Sequence, residues 1–162
     1  MSEAQIQTKN LLLVPLTRDE VRAYVEQLPP HEKAEVSPVW LARLDRSSFS
    51  DPWIHGFELV HQGSGTVVGR CGFKGPPADG VVELAYGVSP EHQGKGYATE
   101  AAAVLVNYAL SHEGVRTVRA HTLPQQSAST RVLTKCGFRC IGEVIDPEDG
   151  LVWRWERSKE TG

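Results

Sequence analysis

The chain has 162 residues, of which 40% are hydrophobic and 23% are charged, with a formal net charge of −3 at pH 7. This length predicts a single domain over 1–162, because a chain of this size buries roughly 68–70% of its unfolded surface without a disulfide or a metal. The negative charge argues against nucleic-acid binding. No apolar run reaches the ~18–20 residues that span a bilayer, and residues 1–10 do not resemble a signal peptide. We therefore expect a cytoplasmic protein without membrane or nucleic-acid partners.

The cysteines and histidines suggest no disulfide and no metal site. Cys71, Cys136 and Cys140 are odd in number and form no CxxC pair, which predicts reduced, mostly buried thiols. The histidines without an acid or cysteine partner at metal-ligand spacing are His31, His55, His61 and His112. We therefore predict no metal.

The N-terminal third predicts one strand and two helices. The strand covers residues 10–16. Thr17 as N-cap and Glu20 three residues later form a capping box, which begins a helix that ends before Pro29. Ser37, followed by a proline, begins the second helix.

From residue 53 onward, alternation replaces helical spacing. Residues 53–62 and 66–74 flank the turn GSG and predict a hairpin, to which 81–89 adds a third strand. A helix is predicted from about 96 to 113, followed by a strand at 115–123.

The C-terminal segment predicts a short helix and two strands. The helix covers 126–136 and is closed by Gly137, and the strands cover 138–145 and 151–158. The predicted order β-α-α-β-β-β-α-β-α-β-β is typical of an α+β fold around a mixed sheet.

Residues 91–101, EHQGKGYATEA, place two glycines and a lysine between a predicted strand and a predicted helix. The Walker nucleotide pattern does not fit, because Gly96 stands where a Ser or Thr must follow the lysine. The Rossmann pattern does not fit, because five residues separate the strand from Lys95 and no acid ends the next strand. Two interpretations stay open. The segment is an ordinary turn, or its backbone N–H groups hold a pyrophosphate that Gly94 and Gly96 allow to approach closely.

Two separate motifs resemble the GNAT superfamily of N-acetyltransferases, which bind acetyl-coenzyme A. Residues 93–98, QGKGYA, match its Q/R-x-x-G-x-G/A signature. Residues 82–101 and 121–138 resemble the RimJ/RimL-like branch of that superfamily. The resemblance implies an α+β fold with a mixed, mostly antiparallel sheet of about seven strands, splayed into a V at the cofactor site and flanked by about four helices.

The resemblance also implies that acetyl-CoA lies in the V between two strands. Strand 81–88 would pair with the pantetheine arm through its backbone, as an added strand does. The helix at 126–136 would flank the arm near the thioester. The residues that the resemblance places against the cofactor are Tyr86, Val88, Gln93, Gly94, Lys95, Gly96, Tyr97, Ala98, Gln126 and Ser129.

Acetyl transfer requires a neutral amine, and the cost of deprotonating it depends on the acceptor. At pH 7 this cost is roughly 1 kcal/mol for an α-amine with a pKa of about 7.8, and roughly 4.6 kcal/mol for a lysine-like amine with a pKa of about 10.4. Glu83 is the candidate base, since it is an acid within an otherwise apolar strand, with no lysine or arginine close in sequence to pair with it. The alternative is an exposed strand carboxylate.

The leaving thiolate needs a proton, which many GNAT members supply from a tyrosine on the short helix. Leu133 occupies that position here, so Ser129 is the candidate hydroxyl; its alternative is a hydrogen bond within its own helix. Gln126 stands where the family has an asparagine. His121 is a candidate substrate contact, or else bonds to loop backbone. A backbone N–H near Val88 would stabilise the oxyanion.

Together with these residues, the resemblance implies an acetyl-CoA-dependent N-acetyltransferase. A primary amine, either a protein N-terminus or a small molecule, would attack the acetyl group directly in a ternary complex. The first two helices, the loop at 74–80 and the turn at 146–150 would form the acceptor site of a monomer or homodimer. One alternative is a non-catalytic module that senses acyl-CoA, favoured by the missing tyrosine; another is a nucleotide-binding protein.

Overall fold

The computed structural model describes residues 5–159, which form eight strands and six α-helices. The strands are β1 (Ile6–Gln7), β2 (Leu11–Pro15), β3 (Phe57–His61), β4 (Val67–Phe73), β5 (Val81–Val88), β6 (Thr117–Thr122), β7 (Arg139–Asp146) and β8 (Gly150–Ser158). The helices are α1 (Arg18–Glu26), α2 (Pro30–Glu35), α3 (Pro38–Arg46), α4 (Pro52–His55), α5 (Tyr97–Leu110) and α6 (Ala128–Lys135), and a 3₁₀ turn covers Pro90–His92.

All eight strands join one sheet in the order β1-β2-β3-β4-β5-β6-β8-β7. Neighbouring strands are antiparallel except for β5 and β6, which are parallel. The predicted α+β fold with a mixed, mostly antiparallel sheet is therefore confirmed. Residues 5–159 contain one strand more than the expected seven and two helices more than the expected four. Strand β1 extends one edge of the sheet, and α2 and α4 are the two additional short helices.

The helix starts that were predicted from capping residues are confirmed. The Thr17 hydroxyl accepts a hydrogen bond from the Glu20 backbone N–H at 3.2 Å, and the Glu20 carboxylate accepts one from the Thr17 N–H at 3.0 Å. The Ser37 hydroxyl accepts a hydrogen bond from the Trp40 N–H at 3.3 Å and begins α3. Each cap satisfies a backbone donor that the helix itself cannot pair.

The prediction that the hairpin strand begins at residue 53 was wrong. The Asp51 carboxylate accepts a hydrogen bond from the Trp53 N–H at 3.0 Å, and Pro52 follows it at the first helical position. These local signals form the single turn of α4, which Gly56 ends with a φ of 71°. Strand β3 therefore begins only at Phe57.

The cysteine prediction holds for two of the three thiols. All three are unpaired, and Cys71 and Cys136 are buried, which raises the pKa of both thiols. Cys140 is the exposed one, because it lies on β7, which forms an edge of the sheet and is exposed over most of its length.

Helix α5 packs on the sheet through small side chains, which allow a helix to approach its neighbours closely. The residues of α5 with no solvent exposure are Ala101, Ala102, Leu105, Val106 and Ala109. They join one core with buried side chains of β2, β3 and β5. This packing holds the N-terminal end of α5 beside the C-terminal end of β5.

Glu100, in the first turn of α5, ties the helix to the N-terminal segment. Its carboxylate accepts hydrogen bonds from the Thr8 hydroxyl, from the Asn10 backbone N–H at 2.6 Å and from the Asn10 side-chain amide at 3.0 Å. Partial burial favours the neutral acid, but the hydrogen bonds from Thr8 and Asn10 outweigh it and lower the pKa of Glu100.

We expect Glu100→Gln to lower the free energy of unfolding by about 1–3 kcal/mol near pH 7, because it removes an ionised acceptor of several hydrogen bonds. The pKa of Glu100 in the folded state lies below its ordinary value of 4.5. The contribution of the carboxylate is therefore present above about pH 4.5 and is lost as the pH falls through the lower folded-state pKa.

Urea unfolding of the parent and of Glu100→Gln, from about pH 3 to about pH 7, measures this difference. The exposed Glu113 provides a control, and Glu113→Gln should change stability by less than about 0.5 kcal/mol. A difference between parent and Glu100→Gln that stays constant down to the lowest pH would contradict the assignment.

Candidate active site

Strands β5 and β6 pair only over a short stretch. Residues 81–83 face residues 117–119, and the pairing ends there. Strand β5 continues to Val88 while it remains paired with β4 on its other side. The gap that opens beyond Glu83 is the V that the resemblance implied.

The backbone of β5 presents polar groups to this gap. The Glu83 carbonyl accepts a hydrogen bond from the Lys74 N–H at 2.9 Å, and the Ser89 N–H donates to a β4 carbonyl at 2.8 Å. Since alternate residues of a strand direct their N–H and C=O groups to opposite sides, Tyr86 and Val88 direct theirs toward the gap. The Val88 carbonyl accepts a hydrogen bond from the Gln93 side chain at 2.9 Å. An extended ligand in the gap would find these groups as partners.

The glycine-rich turn joins β5 to α5 in the conformation that glycine permits. Gly94 and Gly96 have φ values of 80° and 84°, and Gly96 is the N-cap of α5 with no side-chain cap. A Cβ at either position would meet no protein atom within 4 Å. Without a ligand, the positive φ rather than a steric clash is therefore what requires glycine at these two positions. The first backbone N–H groups of α5 and the positive end of its dipole are suited to an anion.

A cleft of about 400 Å³ extends from the gap to this turn, and we call it the β5–α6 cleft. Among the predicted cofactor contacts, those that line it are Tyr86, Val88, Gln93, Gly94, Gly96, Tyr97, Ala98 and Ser129. Lys95 and Gln126 do not line it. The Gln126 side-chain oxygen instead accepts a hydrogen bond from the Thr130 hydroxyl at 3.1 Å, at the start of α6.

Two cations in the lining were missed by the sequence analysis. Arg131 and Lys135 lie four residues apart on α6 and line the same cleft as the glycine turn. Their i, i+4 spacing places both side chains on one face of the helix. This spacing is visible in the sequence, but that this face lies beside the glycine turn is not. The two cations add positive charge where the turn presents its N–H groups.

Glu83 is part of a charged network, so the expectation of an isolated acid was wrong. Its Oε2 atom lies 3.0 Å from the Lys74 ammonium and 3.0 Å from Nδ1 of His121. Lys74 also pairs with Asp149 at 3.2 Å, which joins the end of β4 to the β7–β8 turn. Burial favours loss of the Lys74 proton, but the contacts with Glu83 and Asp149 outweigh burial and raise the pKa of Lys74. Lys74 is therefore charged at neutral pH.

The hydrogen bonds of His121 assign its protons. Its Nε2 atom lies 3.1 Å from Nε of Arg154, which can only donate, so Nε2 accepts. Its Nδ1 atom then carries the proton and donates to the Glu83 carboxylate. His121 thus orients the Glu83 carboxylate, and its side chain is only 5% exposed.

The predicted base and the predicted acid share one cavity of about 160 Å³, which we call the Glu83 chamber. Its lining is Lys74, Glu83, Leu84, Ala85, Tyr86, Ala120, His121, Ser129 and Leu133. Tyr86 and Ser129 also line the β5–α6 cleft, so the two spaces adjoin at these side chains.

Two hydroxyls, rather than the family's tyrosine, stand between these spaces. The Tyr86 hydroxyl lies 3.5 Å from the Ser129 carbonyl. Burial raises the pKa of Tyr86 to about 12, and the contact with Ser129 offsets part of this increase. Leu133 is 1% exposed and belongs to the core. Leu133 also lines the Glu83 chamber and offers it no hydroxyl.

A family model described as the acetyltransferase (GNAT) domain matches residues 8–139. The chain belongs to the GNAT family. The described residues of this GNAT domain contain no group of three or more His, Cys, Asp or Glu placed to hold a metal ion. Within the same residues, no helix is long and apolar enough to cross a membrane.

A curated relative shares part of this GNAT domain. The uncharacterized N-acetyltransferase YjdG of Bacillus subtilis (strain 168) is 36% identical over 89 residues, which make up 54% of this chain and 51% of YjdG. The match therefore spans about half the length of that relative.

Solved GNAT structures share the fold. The aminoglycoside acetyltransferase AAC(6')-Ib in complex with coenzyme A and kanamycin aligns with a TM-score of 0.65 at 18% identity, covering 92% of this chain and 95% of that one. The ribosomal-protein-S5-alanine acetyltransferase from Vibrio fischeri aligns with a TM-score of 0.68 at 14% identity, covering 96% and 97%.

We expect Gly96→Ala to weaken the binding of acetyl-CoA about tenfold or more. The new side chain strains the positive φ and intrudes where an anion would approach the backbone. Gly65→Ala is a matched control, because Gly65 has a φ of 71°, has no atom within 4 Å of an added Cβ and lies in the β3–β4 turn. Isothermal calorimetry measures both affinities. An affinity equal to the parent's in Gly96→Ala would remove the turn from the cofactor site.

Proposed function

We propose that this GNAT domain is an acetyl-CoA-dependent N-acetyltransferase of the RimJ/RimL-like type, acting on a primary amine in the cytoplasm. The observation that carries the proposal is the junction of the Glu83 chamber with the β5–α6 cleft at Tyr86 and Ser129. It provides a carboxylate and a hydroxyl beside a cleft whose walls fit the cofactor. The likeness to the S5-alanine acetyltransferase supports the branch, and the unpaired cysteines support a reducing compartment.

The residues of the β5–α6 cleft fit acetyl-CoA, which when bound supplies the thioester that the amine attacks. The backbone groups of Tyr86 and Val88 hold the pantetheine arm along the open edge of β5. The N–H groups that follow Gly94 and Gly96 hold the pyrophosphate, with Arg131 and Lys135 adding positive charge.

Glu83 accepts the proton of the attacking amine. Its Oε2 atom is held by Lys74 and His121, whereas no donor within residues 5–159 bonds to its Oε1 atom. The carboxylate is thus fixed in direction with one oxygen available to the amine. A backbone N–H on the open edge of β5 beyond Glu83 stabilises the developing oxyanion, and the Ser129 hydroxyl donates a proton to the leaving sulfur.

We expect Glu83→Gln to lower kcat/KM by about 10²–10⁴ at neutral pH, since glutamine keeps the size of the side chain and removes its basicity. The loss should be larger for a lysine-like amine than for an α-amine, because deprotonation costs more. The rate should recover partly at high pH. Initial rates against pH, together with acetyl-CoA affinity, measure these effects.

A paired carboxylate outside the chamber is the control for this substitution. Glu156 forms an ion pair with Arg119 at 2.8 Å and does not line the Glu83 chamber. Glu156→Gln should retain the parent's rate and pH profile. A Glu83→Gln protein whose rate and pH profile match the parent would reduce Glu83 to a structural carboxylate.

We expect Ser129→Ala to lower kcat with little change in the dissociation constant of acetyl-CoA, because it removes the proton donor and little contact area. Tyr86→Phe is the comparison, since the Tyr86 hydroxyl lies beside Ser129 and lines the same two spaces. Single-turnover rates distinguish the two hydroxyls. A decrease in Tyr86→Phe alone would assign the proton to Tyr86, and no decrease in either would assign it to solvent.

A non-catalytic module that senses acyl-CoA is the second candidate. It is favoured by the two donors that already occupy Oε2 of Glu83 and by Leu133 in the family's tyrosine position. Release of the free CoA thiol that depends on added amine separates the two functions. Tight acetyl-CoA binding without such release, across neutral, anionic and cationic amines, would favour the sensor.

A further inference from the structure

One face of the paired strands β4 and β5 carries a chemically distinct group at each end and small residues between them. Side chains of cross-strand partners lie on the same face of a sheet. The pairs on this face are Lys74 with Glu83, Gly72 with Ala85 and Arg70 with Gly87. The middle of the face therefore has almost no side chains projecting from the sheet, while charged side chains project from it at both ends.

A cavity of about 360 Å³ lies over this face, and we call it the β4–β5 groove. Its lining includes all the small residues of the face, together with Lys74 at one end and Arg70 at the other. Trp40 of α3 and Ile54 of α4 contribute walls. At Gly87 the floor is open, since an added Cβ would meet no atom within 4 Å. Of the elements that the sequence analysis assigned to the acceptor, the second predicted helix contributes Trp40 and the 74–80 loop contributes Lys74. Lys74, Ala85 and Tyr86 also line the Glu83 chamber, so the groove adjoins that chamber.

Among residues 5–159, Arg70 presents a guanidinium without a carboxylate partner. Its Cζ atom lies 3.8 Å from the centre of the Tyr24 ring, a cation–π contact that restrains the guanidinium. No carboxylate oxygen of residues 5–159 lies within 4.0 Å of its nitrogen atoms. Glu58, its cross-strand partner on β3, forms no ion pair with it at that distance. The N–H donors of Arg70 are oriented, and they can bind an oxyanion in a bidentate manner.

The other end of the groove differs in chemistry. The ammonium of Lys74 is already paired with Glu83 and Asp149. Lys74 also lines the Glu83 chamber, so the Glu83 carboxylate lies just beyond this end of the groove. Arg70 and Lys74 are four residues apart on extended backbone, which separates their Cα atoms by roughly 13 Å.

We propose that the acceptor is a primary amine that carries a carboxylate several bonds away from the nitrogen. The amine lies at Glu83, and Arg70 binds the carboxylate at the far end of the β4–β5 groove. Arg70 is then a specificity-determining residue. This inference rests on the proposed transferase function and names the substrate class of the same site.

The same charges disfavour polycationic acceptors. A second ammonium group placed along the groove would face Arg70, and like charges at close range weaken binding. The groove therefore differs in charge from what a polycation such as kanamycin requires, although the fold is shared with the kanamycin complex of AAC(6')-Ib.

The first experiment compares acceptors with the parent protein. The probes are straight-chain ω-amino acids of increasing length, each matched with its primary amide, and kanamycin as the polycation. Release of the CoA thiol gives kcat/KM for each acceptor. We expect each carboxylate of suitable length to exceed its amide by about tenfold to a hundredfold, the range for a hydrogen-bonded charge, and we expect kanamycin to be poorer than both.

The second experiment changes the two ends of the proposed contact. Arg70→Met should abolish the preference for the carboxylate over its amide, because it lowers kcat/KM for the carboxylate to that for the amide. Glu58→Gln should increase the preference, because it removes the in-chain carboxylate opposite Arg70. Arg22→Met is the control, since Arg22 forms an exposed ion pair with Asp45 away from the groove, and it should keep the parent's preference.

A readout without turnover keeps this inference separate from the transferase proposal. Calorimetry of N-acetylated ω-amino acids, with CoA present, measures carboxylate binding to the parent and to Arg70→Met. Equal turnover of carboxylates and amides by the parent, or equal binding of the acids by parent and Arg70→Met, overturns the Arg70 assignment. Absence of thiol release with every acceptor overturns the transferase function. Arg70-dependent binding of the acids would then still support the anion subsite.

Discussion

The separation of β5 from β6 beyond Glu83 is the constraint on which the rest of the site depends. A buried strand edge without partners is costly, because each N–H and C=O group that loses water must find another hydrogen bond. Pairing with β6 ends after residues 81–83, and β5 remains in the sheet through β4 alone. The open edge at Tyr86 and Val88 therefore stays accessible to an extended ligand. The pantetheine arm of the proposed cofactor would pair with this edge as an added strand does.

The packing of α5 determines what lies at the mouth of this gap. Its buried alanines hold the helix close to the sheet, and Glu100 ties its first turn to Thr8 and Asn10. The helix N-terminus therefore follows the open edge of β5 at a fixed position. Helix α6 brings Arg131 and Lys135 to the other wall of the cleft. The cleft thus combines backbone donors, a helix dipole and two cations, all of which favour a dense anion.

The network around Glu83 links the proposed chemistry to the choice of acceptor. His121 fixes one oxygen of the carboxylate, and Arg154 fixes the tautomer of His121. Lys74 compensates the charge of Glu83 and joins it to Asp149 of the β7–β8 turn. Because Lys74 is already paired, Arg70 is the cation in the β4–β5 groove that can receive an anionic group of the acceptor.

The sequence by itself determined the elements whose causes are local. The capping box at Thr17, the cap at Ser37 and the glycine turn at 94–96 each depend on contacts within a few residues, and they were predictable for that reason. The start of β3 was predicted wrongly because the hydrophobic alternation of residues 53–62 is typical of a strand. The Asp51 side chain, an equally local signal, instead caps the single turn of α4. The two-motif resemblance implied that Ser129 and the glycine turn share one site, and both line the β5–α6 cleft.

Only the tertiary structure decided the electrostatic setting of the site. Glu83 and His121 are 38 positions apart in the chain and become neighbours because the sheet places β5 beside β6. The ion pairs of Lys74 depend on the β4–β5 register and on the β7–β8 turn. The register also places Glu58 opposite Arg70, yet no carboxylate oxygen of residues 5–159 lies within 4.0 Å of the Arg70 guanidinium. Such contacts between distant segments leave no periodic pattern in a single sequence. The charged partners of the proposed base could therefore be identified only from the arrangement of the strands in the sheet.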